Sequence, residues 1–143
     1  MEPKNLTSKA EITIDTTVDK VWEALITPSI IKEYMFGTNV ASGWTKGSAI
    51  TWKGEMNGKR YEDKGEILQI EPGKRLQYSH YSPGSKLADT PENYHTVTIY
   101  LAAEKDRTHI ILTQDKNGSE KEKKESEENW TVMLQALKKV LEK

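Results

Sequence analysis

The sequence predicts an α+β domain in which a curved antiparallel sheet wraps around a long C-terminal helix. Three observations predict this fold class. The elements run in the order strand, two short helices, a run of strands and one long helix, an order typical of α+β folds with antiparallel sheets. Every link between the strands from Ala49 to Lys116 can be a hairpin connection, although the one from Ser82 to Asn93 is a longer loop. The second half of the last helix has an apolar stripe that must be covered by the apolar face of the sheet.

Composition excludes several classes of protein. A chain of 143 residues is expected to form one domain, spanning residues 1–143. Its formal net charge of −1 argues against a nucleic-acid-binding protein, which needs a basic face. The absence of cysteine excludes disulfides, thiolate zinc sites and cysteine nucleophiles. Met1 to Ala10 lacks the apolar run of a signal peptide, and no apolar stretch is long enough to span a membrane, so a cytoplasmic protein is expected.

The first elements are a strand and two helices. Apolar and polar side chains alternate over residues 10–15, which is the pattern of a half-buried strand. A helix follows, with Thr17 as its N-cap. Its apolar stripe consists of Val18, Val21, Trp22, Leu25 and Ile26. Thr27 and Pro28 end this helix and begin a second one that runs to Tyr34, since proline is favoured in the first helical turn.

A meander of strands is predicted in the middle of the chain. Asn57-Gly58 is its clearest signal, because a two-residue type I′ turn needs positive φ at both central positions. The turn predicts a hairpin between strands at residues 49–56 and 59–70. Further strands are predicted at residues 75–81, 94–103 and 107–116.

The chain ends in a predicted helix from Glu120 to Lys143. Ser119 and Glu122 form a capping-box pattern at its start, in which each side chain satisfies a backbone N–H group of the other. At about 1.5 Å per residue the helix is about 36 Å long. Its first half is almost wholly charged and is predicted to be solvated. The apolar residues of its second half are Trp130, Met133, Leu134, Leu137 and Leu141.

Counting outward from each turn predicts which side chains share the concave face of the sheet. A turn at Asn57-Gly58 places Trp52 opposite Asp63, and the next hairpin places His80 opposite His95. The inward residues and their partners on the helix form the candidate ligand site, which is Ile50, Trp52, Tyr61, Asp63, Ile67, Tyr78, His80, His95, Val97, Gln114, Trp130 and Leu134. A mostly apolar set with a few polar members is typical of a small-molecule site.

Other interpretations of these residues stay open. The aromatic side chains could simply fill a core, because each one stabilises the fold when it is buried. His80 and His95 could bind a metal or share acid–base work. A third metal ligand is missing, however, because His109 falls on the opposite face by parity. Asp63 could act as an acid or lie hydrated at a pocket mouth. No catalytic residue, metal or cofactor is assigned.

Several short motifs in order carry a family resemblance that covers nearly the whole chain. They are Val21-Trp22-Glu23-Ala24-Leu25, Pro28, Gly65-Glu66-Ile67-Leu68, Pro72 before Arg75-Leu76, Val97-Thr98-Ile99, and the helix from Trp130 to Leu137. The chain resembles the START-like, birch-allergen-like (SRPBCC) helix-grip superfamily. Within it, the chain is most similar to proteins related to the C-terminal domain of the activator of heat-shock protein 90 ATPase. Members commonly have Trp at the positions of Tyr34 and His80, and His at the position of Gln114.

The resemblance implies three functions. The first is binding of a small apolar or aromatic ligand, lipid-like or polyketide-like, between the sheet and the C-terminal helix. The second is a polyketide-cyclase-like enzyme that uses the polar pocket residues. The third is a co-chaperone module. Because the chain lacks an additional N-terminal domain of the kind found in the full activator, it is not expected to stimulate the chaperone alone. Neither its oligomeric state nor its ligand is predicted.

Overall fold

A computed structural model describes residues 6–56, 58–85 and 87–142 of the chain. In this part of the chain, seven strands form one antiparallel sheet in the order β1-β7-β6-β5-β4-β3-β2. The strands are β1 (Leu6–Ile14), β2 (Asn39–Ser42), β3 (Ala49–Met56), β4 (Lys59–Glu71), β5 (Arg75–His80), β6 (His95–Glu104) and β7 (Arg107–Asn117). The α-helices are α1 (Val18–Ile26), α2 (Pro28–Tyr34) and α3 (Glu120–Leu141), and two short 3₁₀ helices span Pro83–Ser85 and Pro91–Asn93. The predicted fold class is confirmed.

Helices α1 and α2 begin where the sequence predicts. The Thr17 hydroxyl oxygen accepts a hydrogen bond from the Lys20 N–H group at 3.4 Å, so Thr17 caps α1. Thr27 occupies the N-cap position of α2, but its side chain makes no capping hydrogen bond. The hydroxyl of Tyr34, at the end of α2, donates to the Ala24 carbonyl at 2.9 Å and ties the two helices together.

The predicted strand register is confirmed on the concave face. Trp52 pairs with Asp63 across β3 and β4, and His80 pairs with His95 across β5 and β6. The β3–β4 connection contains two residues, because Met56 pairs with Lys59. Gly58 has φ +79°, whereas Asn57, the other predicted turn residue, lies outside the described residues.

Helix α3 packs against the sheet through its second half, where Met133, Leu134 and Leu137 are buried. The sequence predicts that the first half of α3 is solvated, but part of it contacts β1. The Ser126 hydroxyl lies 2.9 Å from that of the fully buried Ser8, and the Glu127 carboxylate accepts from the Lys9 N–H group at 3.0 Å. These contacts explain why β1 begins four residues earlier than its apolar alternation predicts.

The start of α3 differs in one detail from the predicted capping box. The Ser119 hydroxyl accepts from the Glu122 N–H group at 3.1 Å, as predicted. The Glu122 carboxylate instead accepts from the N–H group of Gly118 at 2.7 Å, one residue before the cap. No helix in the described part of the chain is both long enough and apolar enough to cross a membrane.

Candidate functional site

The concave face of the sheet, the end of α2 and the middle of α3 enclose a cavity of about 260 Å³, which we call the inner cavity. Eight of the twelve predicted site residues line it: Trp52, Tyr61, Asp63, Tyr78, His80, His95, Gln114 and Trp130. The remaining lining residues are Met35, Thr38, Ser82, Leu87 and Asn93. Most of the residues predicted from strand alternation and from the apolar stripe of the helix therefore line one cavity.

Four predicted site residues do not line this cavity. Ile50, Ile67, Val97 and Leu134 are each at most 2% exposed and belong to the hydrophobic core. Parity correctly places the three strand residues on the inward face, but it does not show how far each one lies from the cavity. Ile50 instead borders a separate space of only about 30 Å³, together with Leu25 of α1 and Met133 of α3.

A second space of about 490 Å³, which we call the outer cleft, adjoins the inner cavity. The two share the lining residues Met35, Thr38, Tyr61, His95, Gln114 and Trp130. The outer cleft is further lined by Phe36, Glu55, Asn117, Glu122, Glu125, Ser126, Asn129 and Met133. The apolar interior thus leads outward between α3 and the end of α2 to a more polar mouth.

Asp63 and His80 form a hydrogen-bonded pair on the cavity wall. Asp63 Oδ2 lies 2.9 Å from His80 Nε2, and the two side chains are 19% and 29% exposed. The Trp52 ring meets the imidazole edge-on at 5.0 Å and restricts its orientation. The Asp63 carboxylate accepts a hydrogen bond from the Nε2–H group, so Nδ1 of a neutral His80 keeps its lone pair.

Gly65 allows β4 and β5 to approach each other beside this pair. A Cβ atom at this position would lie 1.7 Å from the carbonyl oxygen of Ser79 on β5. Only glycine therefore fits here without moving one of the two backbones. The pairing of β4 with β5 also shifts register between Ile67 and Gln69, which marks a bulge.

Tyr78 brings a hydroxyl group to the apolar part of the cavity. Its ring packs against that of Trp52 at a centroid distance of 5.1 Å, and its side chain is buried. Among the hydrogen bonds of the described residues, none involves its hydroxyl, and the side chain lines the cavity. Burial raises the pKa of Tyr78 well above its ordinary value, so the group remains a neutral donor.

Gln114 and Trp130 join β7 to α3. The Trp130 indole N–H donates to Gln114 Oε1 at 2.8 Å. Because an indole nitrogen can only donate, the amide oxygen must face it, and the NH₂ group of Gln114 turns away from Trp130. Gln114 thereby brings two N–H donors to the shared wall of the inner cavity and the outer cleft.

His95 is oriented by the backbone of the neighbouring strand. Its Nδ1 lies 2.9 Å from the Asp115 carbonyl oxygen. Because that oxygen only accepts, Nδ1 carries the proton, and Nε2 of the neutral ring is left as an acceptor. The cavity wall therefore combines donors from Tyr78 and Gln114 with acceptors from His80 and His95.

Thr38 and Tyr61 fasten the end of α2 to the rim of the sheet. The Thr38 hydroxyl donates to the Met35 carbonyl at 2.8 Å, so it accepts from the Tyr61 hydroxyl, with which it is also in contact. The Tyr61 ring lies over Gly54, where a Cβ atom would meet its hydroxyl oxygen at 2.5 Å. The sequence does not predict Met35 and Thr38 as site residues. They lie after the predicted helix and outside any predicted strand, so neither the helical stripe nor strand alternation places them.

No group of three histidine, aspartate or glutamate side chains among residues 6–56, 58–85 and 87–142 could hold a metal ion. His109 lies on the opposite face of the sheet from His80 and His95. There its Nε2 lies 3.1 Å from the Glu11 carboxylate, and its Nδ1 lies 2.9 Å from the Thr13 hydroxyl. What the inner cavity offers is hydrogen bonding and apolar contact.

A curved antiparallel sheet closed by a long C-terminal helix defines the helix-grip class, with a cavity between the two. Comparison with known families gives a narrower assignment. Residues 15–142 match the family described as "Activator of Hsp90 ATPase homolog 1-like protein". The chain belongs to this family, and the resemblance noted in the sequence is confirmed. No curated protein matches the chain.

Solved structures show the same fold. A protein from Cytophaga hutchinsonii is 56% identical, with a TM-score of 0.86, and the match covers 99% of this chain and 97% of that one. The Aha1 dimer from Colwellia psychrerythraea is 19% identical, with a TM-score of 0.71 and 93% of each chain covered. DynU16, from the dynemicin biosynthetic locus, is 19% identical with a TM-score of 0.78, over 95% of this chain and 47% of that one. The latter two likenesses concern the fold alone.

Proposed function

We propose that the protein binds a small, mostly apolar ligand in the inner cavity, between the sheet and α3. The observation that carries this proposal is the unused hydrogen-bonding capacity on a wall whose surface is mainly apolar. Among the described residues, the Tyr78 hydroxyl, the Gln114 NH₂ group and His95 Nε2 make no hydrogen bond to the protein, and all three side chains line the cavity. Polar groups in an interior normally find partners, and a ligand would supply them here.

The same groups favour a neutral ligand. Asp63 and His80 are already paired with each other, so neither needs a charged partner from the ligand. The remaining groups include both donors and acceptors, which suits a molecule with an apolar body and a few hydroxyl or carbonyl groups. A lipid-like or polyketide-like molecule has this make-up and is the ligand class that we propose. No cofactor enters the proposal.

The three histidines provide a direct test with an internal control. His80 and His95 line the inner cavity, whereas His109 lies on the opposite face. We would record imidazole and backbone NMR signals while adding lipids, polyketides and flavonoids. Binding in the cavity shifts the signals of His80 and His95 and leaves those of His109 in place. If no compound perturbs cavity residues, or if all three histidines shift alike, the proposal fails.

An enzyme is the second candidate, and the Asp63–His80 contact favours it. A histidine oriented by a carboxylate is a suitable general base. The Tyr78 hydroxyl, on the same cavity wall, could stabilise an oxyanion formed when a proton leaves carbon next to a carbonyl group. A bound ligand with such acidic C–H groups would then exchange them for deuterium in D₂O. Asp63→Asn and His80→Gln should abolish this exchange but retain binding. A ligand that binds without catalysed exchange rules the reaction out and leaves the binding function.

A further inference from the structure

Phe36 combines an exposed aromatic ring with a left-handed backbone conformation. Its side chain is 70% exposed, although phenylalanine is among the most apolar residues. Its backbone has φ +54°, in the left-handed region that bulky residues rarely adopt. It also lines the outer cleft. An unfavourable backbone and an exposed ring at the mouth of a cavity indicate a functional constraint.

The end of α2 accounts for the backbone but not for the choice of residue. The Gly37 N–H group donates to the Lys32 carbonyl at 2.9 Å, which is the long hydrogen bond of a Schellman motif. Phe36 occupies the left-handed position of this motif, where glycine is usually found because it has no Cβ atom. A glycine at position 36 would therefore form the same helix end with less strain.

The neighbours of Phe36 fix its place beside the cavity. Met35 and Thr38 line both the inner cavity and the outer cleft, and Thr38 is hydrogen-bonded to Tyr61 on the sheet. The backbone of Phe36 is thus held at the cavity mouth, while its ring remains largely in solvent. Across the outer cleft, Trp130 and Met133 provide an apolar surface on α3.

We propose that Phe36 closes the cavity mouth, its ring leaving solvent and packing against the outer end of a bound ligand in the outer cleft. This inference rests on the proposed ligand-binding function. The occupant of the cleft is the ligand itself, since the two spaces adjoin and share six lining residues. Burying the ring on the ligand offsets the strain of its backbone and slows escape of the ligand.

The neutral fluorescent probe N-phenyl-1-naphthylamine allows a test before the natural ligand is known. We would measure its affinity and its dissociation rate with the full chain, with Phe36→Gly and with Phe36→Leu. Phe36→Gly should weaken binding about tenfold, through faster dissociation, because the ring's apolar contact is lost. Phe36→Leu should retain most of the affinity. Val132→Ala serves as the matched control, because Val132 is an exposed apolar residue of α3, 52% exposed, that does not line the outer cleft.

Thermal unfolding provides the opposing readout. Phe36→Gly should raise the unfolding midpoint, because glycine adopts positive φ without strain. A lower midpoint would mean that the ring supports the fold, and unchanged probe binding would mean that it does not touch the ligand; either result overturns the inference. Loss of binding to lipid vesicles with unchanged probe binding would assign Phe36 to a membrane surface and also overturn it. Trp52 and Trp130 line the inner cavity, so their fluorescence also reports binding of the probe there. If the unmodified protein binds no probe and adding the probe leaves this fluorescence unchanged, the proposed function fails as well.

Discussion

At the scale of single residues, the cavity wall is built from side chains that use one polar atom on the protein and leave another unused. Gln114 gives its oxygen to Trp130 and keeps its NH₂ group, while His95 gives Nδ1–H to a carbonyl and keeps Nε2. The first bond fixes the orientation of each group before a ligand arrives. Such preorganisation lowers the entropic cost of binding.

Two buried tyrosines provide a matched test of this arrangement. The Tyr34 hydroxyl donates to the Ala24 carbonyl, whereas the Tyr78 hydroxyl makes no hydrogen bond within the described part of the chain and its side chain lines the cavity. Tyr34→Phe leaves a buried carbonyl without its donor and should lower the free energy of unfolding by about 1–2 kcal/mol. Tyr78→Phe removes no protein hydrogen bond and should change it by less than about 0.5 kcal/mol. Urea denaturation of both variants checks this, and an equal loss in the two would contradict the unused hydroxyl.

The same tyrosines predict how stability depends on alkaline pH. Burial raises the pKa of both Tyr34 and Tyr78 above the ordinary value of 10.0. Above about pH 10 the unfolded chain therefore loses tyrosine protons that the folded protein keeps, and the free energy of unfolding falls as pH rises. Below that pH the contribution is fully present. Each such group adds about 1.4 kcal/mol per pH unit to the slope.

Tyr78→Phe removes one of these groups. Its unfolding free energy, measured in urea between about pH 9 and pH 11, should fall less steeply than that of the unmodified protein. Tyr34→Phe should reduce the dependence of the free energy of unfolding on pH in the same way, even though this variant is less stable at neutral pH. A slope unchanged in the Tyr78 variant would mean that this side chain ionises as freely in the folded protein as in the unfolded chain.

At the scale of elements, two glycines shape the strands that carry the site, and each for a different reason. At Gly65 an added Cβ atom meets the backbone of β5, whereas at Gly54 it meets the ring of Tyr61. A backbone cannot yield without breaking the pairing of β4 with β5. A half-buried ring can turn outward.

Gly65→Ala should therefore lower the free energy of unfolding by more than about 3 kcal/mol or prevent folding. Gly54→Ala should cost about 1 kcal/mol, since the strand pairing survives while the Tyr61 ring moves and its bond to Thr38 breaks. Urea denaturation separates the two cases, and the Tyr61 ring signals in NMR report the displacement. Equal tolerance of both substitutions would contradict the close approach of β4 and β5.

Elements also show how far the sequence can predict this structure. The Asn57-Gly58 signal and strand alternation are local, and they predict the β3–β4, β5–β6 and β6–β7 pairings. They do not predict the register shift between β4 and β5. Thr38 and Met35 join the site only because the end of α2 meets the sheet, and no local pattern encodes that meeting. Leu87 and Asn93 belong to the long connection between β5 and β6, where residue type says little about position. The contact of Ser126 with β1 could not be predicted, because Ser126 lies within a charged run that is typical of a solvated helix face.

At the scale of the whole molecule, the inner cavity joins distant parts of the chain. The end of α2, the concave side of β3 to β7 and the middle of α3 each supply one wall. The sequence predicts the class of fold and which side chains lie on the concave face. Whether each of these side chains borders the cavity or is buried in the core depends on how α2, α3 and the sheet pack together. That is why Ile50 and Val97 became core while their neighbours Trp52 and His95 line a space.

A cavity built in this way predicts which backbone openings a ligand suppresses. A local opening at residues 35–38 or 87–94 removes a wall of the cavity and abolishes binding, so a ligand at 100 times its Kd should slow hydrogen exchange there by up to about 100-fold. Fraying of the β6–β7 hairpin tip at Glu104–Arg107 leaves the cavity intact, and exchange there should not change. Amide exchange with and without N-phenyl-1-naphthylamine measures both. Equal slowing at the hairpin tip, or none at residues 35–38, would place the bound molecule elsewhere.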